Sequence, residues 1–253
     1  MIRWRKLGAG FLGSLLAMVC AARTGASGAP AAQKSKDKKP EAAAALLSAD
    51  QGIFDILVDG KPAGTEEFDI RPNGGEWTAR GSAEVAGENG ARSKVTGKLQ
   101  LTADGAPRRY EWSTSAPRKA VATVVFEGGV GTMELHVEGA APYSQEFDFK
   151  TTAVVILDNN MYHQYAILAQ LYDWEHKDSK TFPVLIPQDM TPGSVNVEYG
   201  GEQVLNGKKA DVLRVHTQDL EVDLYCDDTP QHRLLRLAVP AAKAEVVRQQ
   251  DKK

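Results

Sequence analysis

Five histidines could ligate a metal: His136, His163, His176, His216 and His232. Ligation is simplest where two histidines stand one helical turn apart or beside a cysteine pair. No close pair of that kind occurs here, so a metal site would have to be assembled from distant residues, and none is assigned. Asp158 and His163 could form a carboxylate–imidazole acid–base pair at the start of a helix. The plainer reading makes Asp158 a helix cap and His163 a solvated helical residue. Asp227-Asp228 has the form of a paired carboxylate, but Thr229-Pro230 follows and a turn between strands accounts for it. Cys226 alternates with Val222 and Leu224, as a buried small apolar residue does rather than a nucleophile. There is no Gly-x-Ser-x-Gly elbow and no phosphate-cradling glycine loop. The residues therefore assign no catalytic group and no cofactor, and the expected protein is not an enzyme.

Aromatic residues carry more information. Trp77, Tyr110, Trp112, Phe126, Phe147, Phe149 and Tyr199 recur on the apolar faces of alternating segments. Core packing explains most of them. Tyr162, Tyr165 and Tyr172 add amphipathic rings, each an apolar body with a polar tip. If the surrounding sheet is incompletely closed, Tyr162, Tyr165, Leu168, Tyr172 and Trp112 would line a pocket for a lipid-like ligand.

The elements that must hold these residues are mostly strands. From Ile53 onward the chain alternates with period two. Val95, Leu99 and Leu101 face one way while Lys94, Thr96, Lys98 and Gln100 face the other. Met133, Leu135 and Val137 repeat the pattern, as do Val195, Val197 and Tyr199. One buried and one wet face is the mark of antiparallel sheets. Turn pairs such as Asp59-Gly60, Gly74-Gly75 and Asn206-Gly207 separate the runs, and Glu88-Asn89-Gly90 marks another reversal. The expected fold is mainly β, a single curved antiparallel sheet or open barrel of about 12 strands with one helix against its concave face. That helix spans Met161 to Tyr172, with Asp158-Asn159-Asn160 as its start signal. Met161, Tyr165, Leu168 and Tyr172 share one face at about 100° per residue, and His163, Gln170 and Asp173 hold the opposite strip. An apolar arc this wide implies cover on more than one side.

Residues 1–22 read as an export signal: Arg3, Arg5 and Lys6, an apolar run from Leu7 to Val19, then Cys20, Ala21 and Ala22. A retained anchor and a lipidated Cys20 are the competing readings. Residues 23–49, rich in Ala and Lys, read as a flexible linker, and 50–253 as the β domain. The expected location is periplasmic or secreted, near a membrane but not within it after cleavage. Losing the three basic residues of the leader leaves a mature chain more acidic than the net −3 of the whole. An acidic domain repels phosphate backbones, which argues against a nucleic-acid partner. With Cys20 removed, Cys226 has no intramolecular partner.

The opening pair, Ile53-Phe-Asp-Ile-Leu-Val-Asp-Gly-Lys-Pro-Ala-Gly-Thr65, resembles that of a group of uncharacterised bacterial periplasmic β-rich domains. More loosely, residues 50–250 are similar in architecture to the half-barrel lipoprotein carriers, with Asp158–Tyr172 in the place of the helical lid. Those carriers use more than one helix there. The leading expectation is a binding or carrier protein for a hydrophobic or amphipathic molecule, and the resemblance transfers no site residues. The residues leave open a structural or assembly module acting through an exposed sheet edge, and a hydrolase-type enzyme with scattered site residues. They do not fix an oligomeric state.

Overall fold

The computed structural model describes residues 46–86, 92–217 and 220–250. The expected leader, most of the linker and the Glu88-Asn89-Gly90 reversal lie outside the described residues. The first half of the chain contributes β1 (Asp50–Val58), β2 (Lys61–Asn73), β3 (Glu76–Ala86), β4 (Arg92–Leu101), β5 (Pro107–Thr114), β6 (Ala120–Glu127), β7 (Val130–Val137) and β8 (Tyr143–Asp148). A short β9 (Val155–Ile156) and the helix α1 (His163–Gln170) follow. Then come β10 (Lys180–Ile186), β11 (Thr191–Leu205), β12 (Lys208–His216), β13 (Glu221–Asp227), β14 (Leu234–Val239) and β15 (Ala244–Arg248).

All 15 strands belong to one sheet, ordered β8-β7-β6-β5-β4-β3-β2-β1-β15-β14-β13-β12-β11-β10-β9. The fold thus starts in the middle of its sheet, walks outward to β8, crosses to the other edge and walks back to its own start. Tight turns drive the walk. Asp59 and Gly60 both take positive φ, 51° and 72°, between the paired residues Val58 and Lys61. That is the two-residue geometry whose twist matches the strands.

The crossing explains the curvature. Residues 149–154 alone join edge strand β8 to edge strand β9. A chain that short spans at most about 25 Å, so the two edges must approach and the sheet must roll. The helix lies inside the roll. His163 packs on Gly81 of β3, Met161 on Gly97 of β4, and α1 also meets β13 and β14. Those strands flank the β1–β15 seam on opposite sides. Seven of the eight helical residues are buried, all but Tyr165.

The seam carries its own clasp. Arg248 of β15 donates to both carboxylate oxygens of Asp50 on β1, at 2.5 and 3.1 Å. Its guanidinium also lies 5.4 Å from the Phe54 ring and 5.1 Å from the Phe68 ring. Leu47 is already buried, and the Ser48 amide donates to Gln170 Oε1 at 2.8 Å. Packing therefore begins a few residues ahead of β1.

Three sequence expectations need correction. The sheet has 15 strands, not about 12. The surplus lies in elements that alternation marks weakly: β9 is two residues long, and Val184 and Leu185 of β10 are both buried. The β9–β10 pair is parallel, against the antiparallel rule of the rest. The helix is also shorter than Met161–Tyr172, and its other face is not wet. His163 and Gln170 are buried with the rest, because the sheet surrounds α1.

Candidate functional site

Glu66 shares its inward parity on β2 with Phe68 and Ile70. An acid in that position must find partners or lose its charge. It finds three. Oε1 accepts from His163 Nδ1 at 2.6 Å, and Oε2 accepts the amides of Tyr162 and His163 at 2.8 and 3.1 Å. A strand carboxylate thus caps the helix from outside its own chain segment and satisfies two of its free amides. The side chains are sealed, at 0% and 1% exposure. The site is shaped for this contact: a Cβ on Gly81 would stand 2.5 Å from the His163 ring and 2.6 Å from Glu66 Oε1. Phe68 stacks on His163 at 6.1 Å and on Phe54 at 4.8 Å. His163 Nε2 is buried and unpartnered.

Asp158 forms the second polar centre. It accepts from Tyr110 Oη at 2.9 Å, from the Asn159 amide at 3.0 Å and from the Gln188 amide at 2.9 Å. Its own amide donates to Gln164 Oε1 at 2.6 Å. Burial pushes its carboxyl up to about 6, and the three donors hold it from rising further. Burial, with the adjacent Asp158 charge, also pushes the Tyr110 hydroxyl well above its ordinary value. Asp158 is therefore a latch between β5, the entry to α1 and the turn after β10, rather than the first-turn cap of the helix.

Asp158 and His163 do not pair but enter two separate partnerships, and His163 is buried rather than solvated as the plainer reading had it. A carboxylate on Nδ1 is the arrangement that makes the other imidazole nitrogen a base. Here that nitrogen has no route to solvent, and the Glu66–His163 pair holds the helix in place. The other candidates resolve into structure. Asp227 accepts from Thr229 Oγ1 and the Arg233 amide within its turn. His176 is exposed and bonds Asp173 at 2.8 Å, and His232 stacks on Trp174 at 3.9 Å. Cys226 is buried, and burial pushes its thiol far up. Among the described residues no group of three or more His, Cys, Asp or Glu could hold a metal, and no helix is long and apolar enough to cross a membrane.

The expected ligand residues are distributed unevenly. Tyr162, Leu168 and Tyr172 are buried and Tyr165 half-buried, with burial pushing its hydroxyl up to about 12. Trp112 lines an open concavity of about 430 Å³ with Arg80, Thr96, Lys98, Glu111 and Ser113. The four tyrosine and leucine positions do not contribute to it. Trp112 Nε1 and Gln170 Nε2 are buried without partners, as is His163 Nε2.

The sequence alternates Phe147 and Phe149 with Glu146, Asp148 and Lys150, and at β8 the structure leaves backbone bonding groups unused. Phe149 donates its amide to Gly129 at the foot of β7, at 3.0 Å. Backbone groups alternate sides along a strand, so residues 147, 145 and 143 also face β7. Ser144, Glu146 and Asp148 then point their amides and carbonyls away from the sheet. Among the described residues no backbone group bonds to that side. Phe147 and Phe149 form a ring cluster with Phe126, both contacts at 6.4 Å, on the inner face of this edge.

No protein-family model matches the chain, and no curated protein matches it. Among solved structures, a β-barrel-like protein of a domain of unknown function, DUF1849, from Brucella abortus superposes with a TM-score of 0.50 at 8% identity, covering 80% of this chain and 95% of that one. A DUF1089 protein from Pseudomonas aeruginosa gives a TM-score of 0.42 at 11% identity, over 70% of this chain and 90% of that one. At such identity the first likeness is one of fold: the chain shares its rolled β architecture with a barrel-like protein of unknown function.

Proposed function

We propose that this is an exported protein, periplasmic or secreted, that works without catalysis as an assembly module of the cell envelope. It holds an extended partner segment at the open edge of its sheet. The observation that carries the reading is β8, where the amides and carbonyls of Ser144, Glu146 and Asp148 have no partner among the described residues. Strand addition uses such groups for affinity and alternate side chains for selectivity. The filled interior supports it too. Leu168, Met161 and Tyr110 occupy the centre of the roll at 0% exposure, and apolar packing fills it. The leader-like residues Arg3 to Ala22 support export.

The test exploits geometry. Glu146→Pro removes an outward amide and leaves every bond to β7 intact, as proline is tolerated on an edge strand. A photo-crosslinker at Ser144, in the protein expressed in its own host, should give one discrete adduct that Glu146→Pro abolishes. No adduct, or one indifferent to the proline, overturns the reading. N-terminal sequencing of the mature protein should begin between Arg23 and Gln33, and an intact Met1 terminus would remove the export half.

A second reading, a carrier for a hydrophobic or amphipathic molecule, draws on the unpartnered His163 Nε2 and Gln170 Nε2 of the helix and Trp112 Nε1 of β5. Buried orphans of this kind call for an explanation such as water or a ligand. Native mass spectrometry of the protein from its host decides it: a stoichiometric lipid would establish the carrier.

A further inference from the structure

On the outer face of this sheet some acids and bases stand opposite one another in register, while Arg80 faces Lys98 and Glu67 faces Ser82. Lys98 on β4 faces Glu111 on β5, at 3.8 Å. Arg214 on β12 faces Glu198 on β11 at 3.9 Å and Asp223 on β13 at 3.5 Å. Glu146 on β8 faces Thr132, and among the described residues no cation reaches it. Glu134 on β7, its diagonal neighbour, also lacks one, and Asp148 relies on Lys150 from its own segment. A cation on a strand added beyond β8 would stand opposite Glu146.

We propose that the open edge takes an extended polypeptide segment with lysine or arginine at alternate positions and apolar residues between them. The inference rests on the strand-addition reading and names the partner's chemistry. Cations at alternate positions would lie over Glu146 and Glu134. The intervening apolar side chains would extend the Phe126–Phe147–Phe149 cluster, in which Phe126 and Phe149 are only half-buried. A second copy of this chain is the wrong occupant, because β8 paired on itself about Glu146 sets acid against acid, which destabilises a cross-strand pair.

The probe is a short capped peptide of alternating lysine and valine, titrated into the full mature chain. Binding should saturate at one peptide per chain, weaken with salt and slow amide exchange at Ser144, Glu146 and Asp148. Glu146→Lys, a change at an exposed position, should weaken binding about tenfold or more and favour a glutamate–valine peptide instead. Glu134→Gln, checked for folding by circular dichroism, should weaken it less. If the unmutated protein binds threonine–valine or glutamate–valine peptides as tightly, the cationic preference falls while strand addition stands. If a lysine–valine peptide N-methylated at alternate amides binds equally well, the attraction is charge alone, and both fall. Absence of saturable binding by any of the peptides also overturns both.

Discussion

The two edges of the sheet meet opposite fates. At β10, the chain covers itself: Val155 and Ile156 of β9 pair with Val184 and Leu185, and the Leu157 amide donates to the Leu185 carbonyl at 3.1 Å. Pro183 shares the parity of Leu185, so its missing amide lies on the outer side, where no ladder bond is lost. The covering segment is core: Val154, Val155, Ile156 and Leu157 are all buried. At β8 no described segment covers the outer side, the strand holds no proline, and four of its six residues are exposed. An edge is thus sealed when the segment crossing it has apolar side chains to bury, and left open when its outward side chains are serine, glutamate and aspartate. Charge at an open edge discourages indiscriminate pairing.

Stability is the most direct way to break this comparison. Ile156→Ala at the sealed edge removes a core side chain at 1% exposure and should cost about 2–5 kcal/mol. Tyr143→Ala at the open edge, where the ring is 48% exposed, should change stability by about 0.5 kcal/mol or less. Denaturant titration of both variants gives the contrast. Equal losses would mean that β8 is as structural as β9.

The sealed edge also has a pH-sensitive latch. Asp158 follows β9 directly, and its folded carboxyl titrates near 6, against 3.8 as its ordinary value. The folded state then binds the proton more tightly than the unfolded chain. This stabilisation is complete below about 3.8 and is lost as pH rises through about 6. The difference of about two pH units corresponds to roughly 3 kcal/mol at most. Asp158→Asn should flatten this part of the stability profile, measured by urea midpoints between pH 5 and 8. A profile unchanged by the substitution would show that the latch does not titrate there.

Much of this was legible in the residues, and the rest was hidden for physical reasons. Alternation around Val95, Leu99 and Leu101 gave the strands, and Asp59-Gly60 gave the first hairpin. Alternation fails where both faces are buried, as at Val184-Leu185, or where a strand lasts two residues, as at Val155-Ile156. The helix was visible, but assigning His163 and Gln170 to a wet strip presumes that a helix has one. The breadth of its apolar arc already argued for cover on several sides. Glu66 left a signal too, an acid in phase with Phe68 and Ile70, and so did Gly81 in phase with Ala79 and Ala83. Their meeting with His163 joins residues 97 apart in sequence, which no local pattern reports. The open edge was equally hidden: its neighbours follow from sheet order, and sequence period says nothing of which strand comes last.

The smallest effect is the sharpest test of the edge geometry, because it alternates residue by residue. If Phe149 points its amide at β7, then Gln145 and Phe147 do as well, and their exchange with solvent deuterium should be slowed by the ladder. Ser144, Glu146 and Asp148 should exchange close to the rate of an unstructured chain, since an amide with no acceptor needs no opening event. The Leu157 amide, bonded across the sealed edge, should be protected despite lying outside any strand. Residue-resolved exchange by NMR reads all of these positions at once. Fraying of β8 would make all six of its amides fast, while cover by another segment of the chain would make all six slow. Only a paired inner side and an unpaired outer side yield a period of two, and that period is what an incoming strand would need to find.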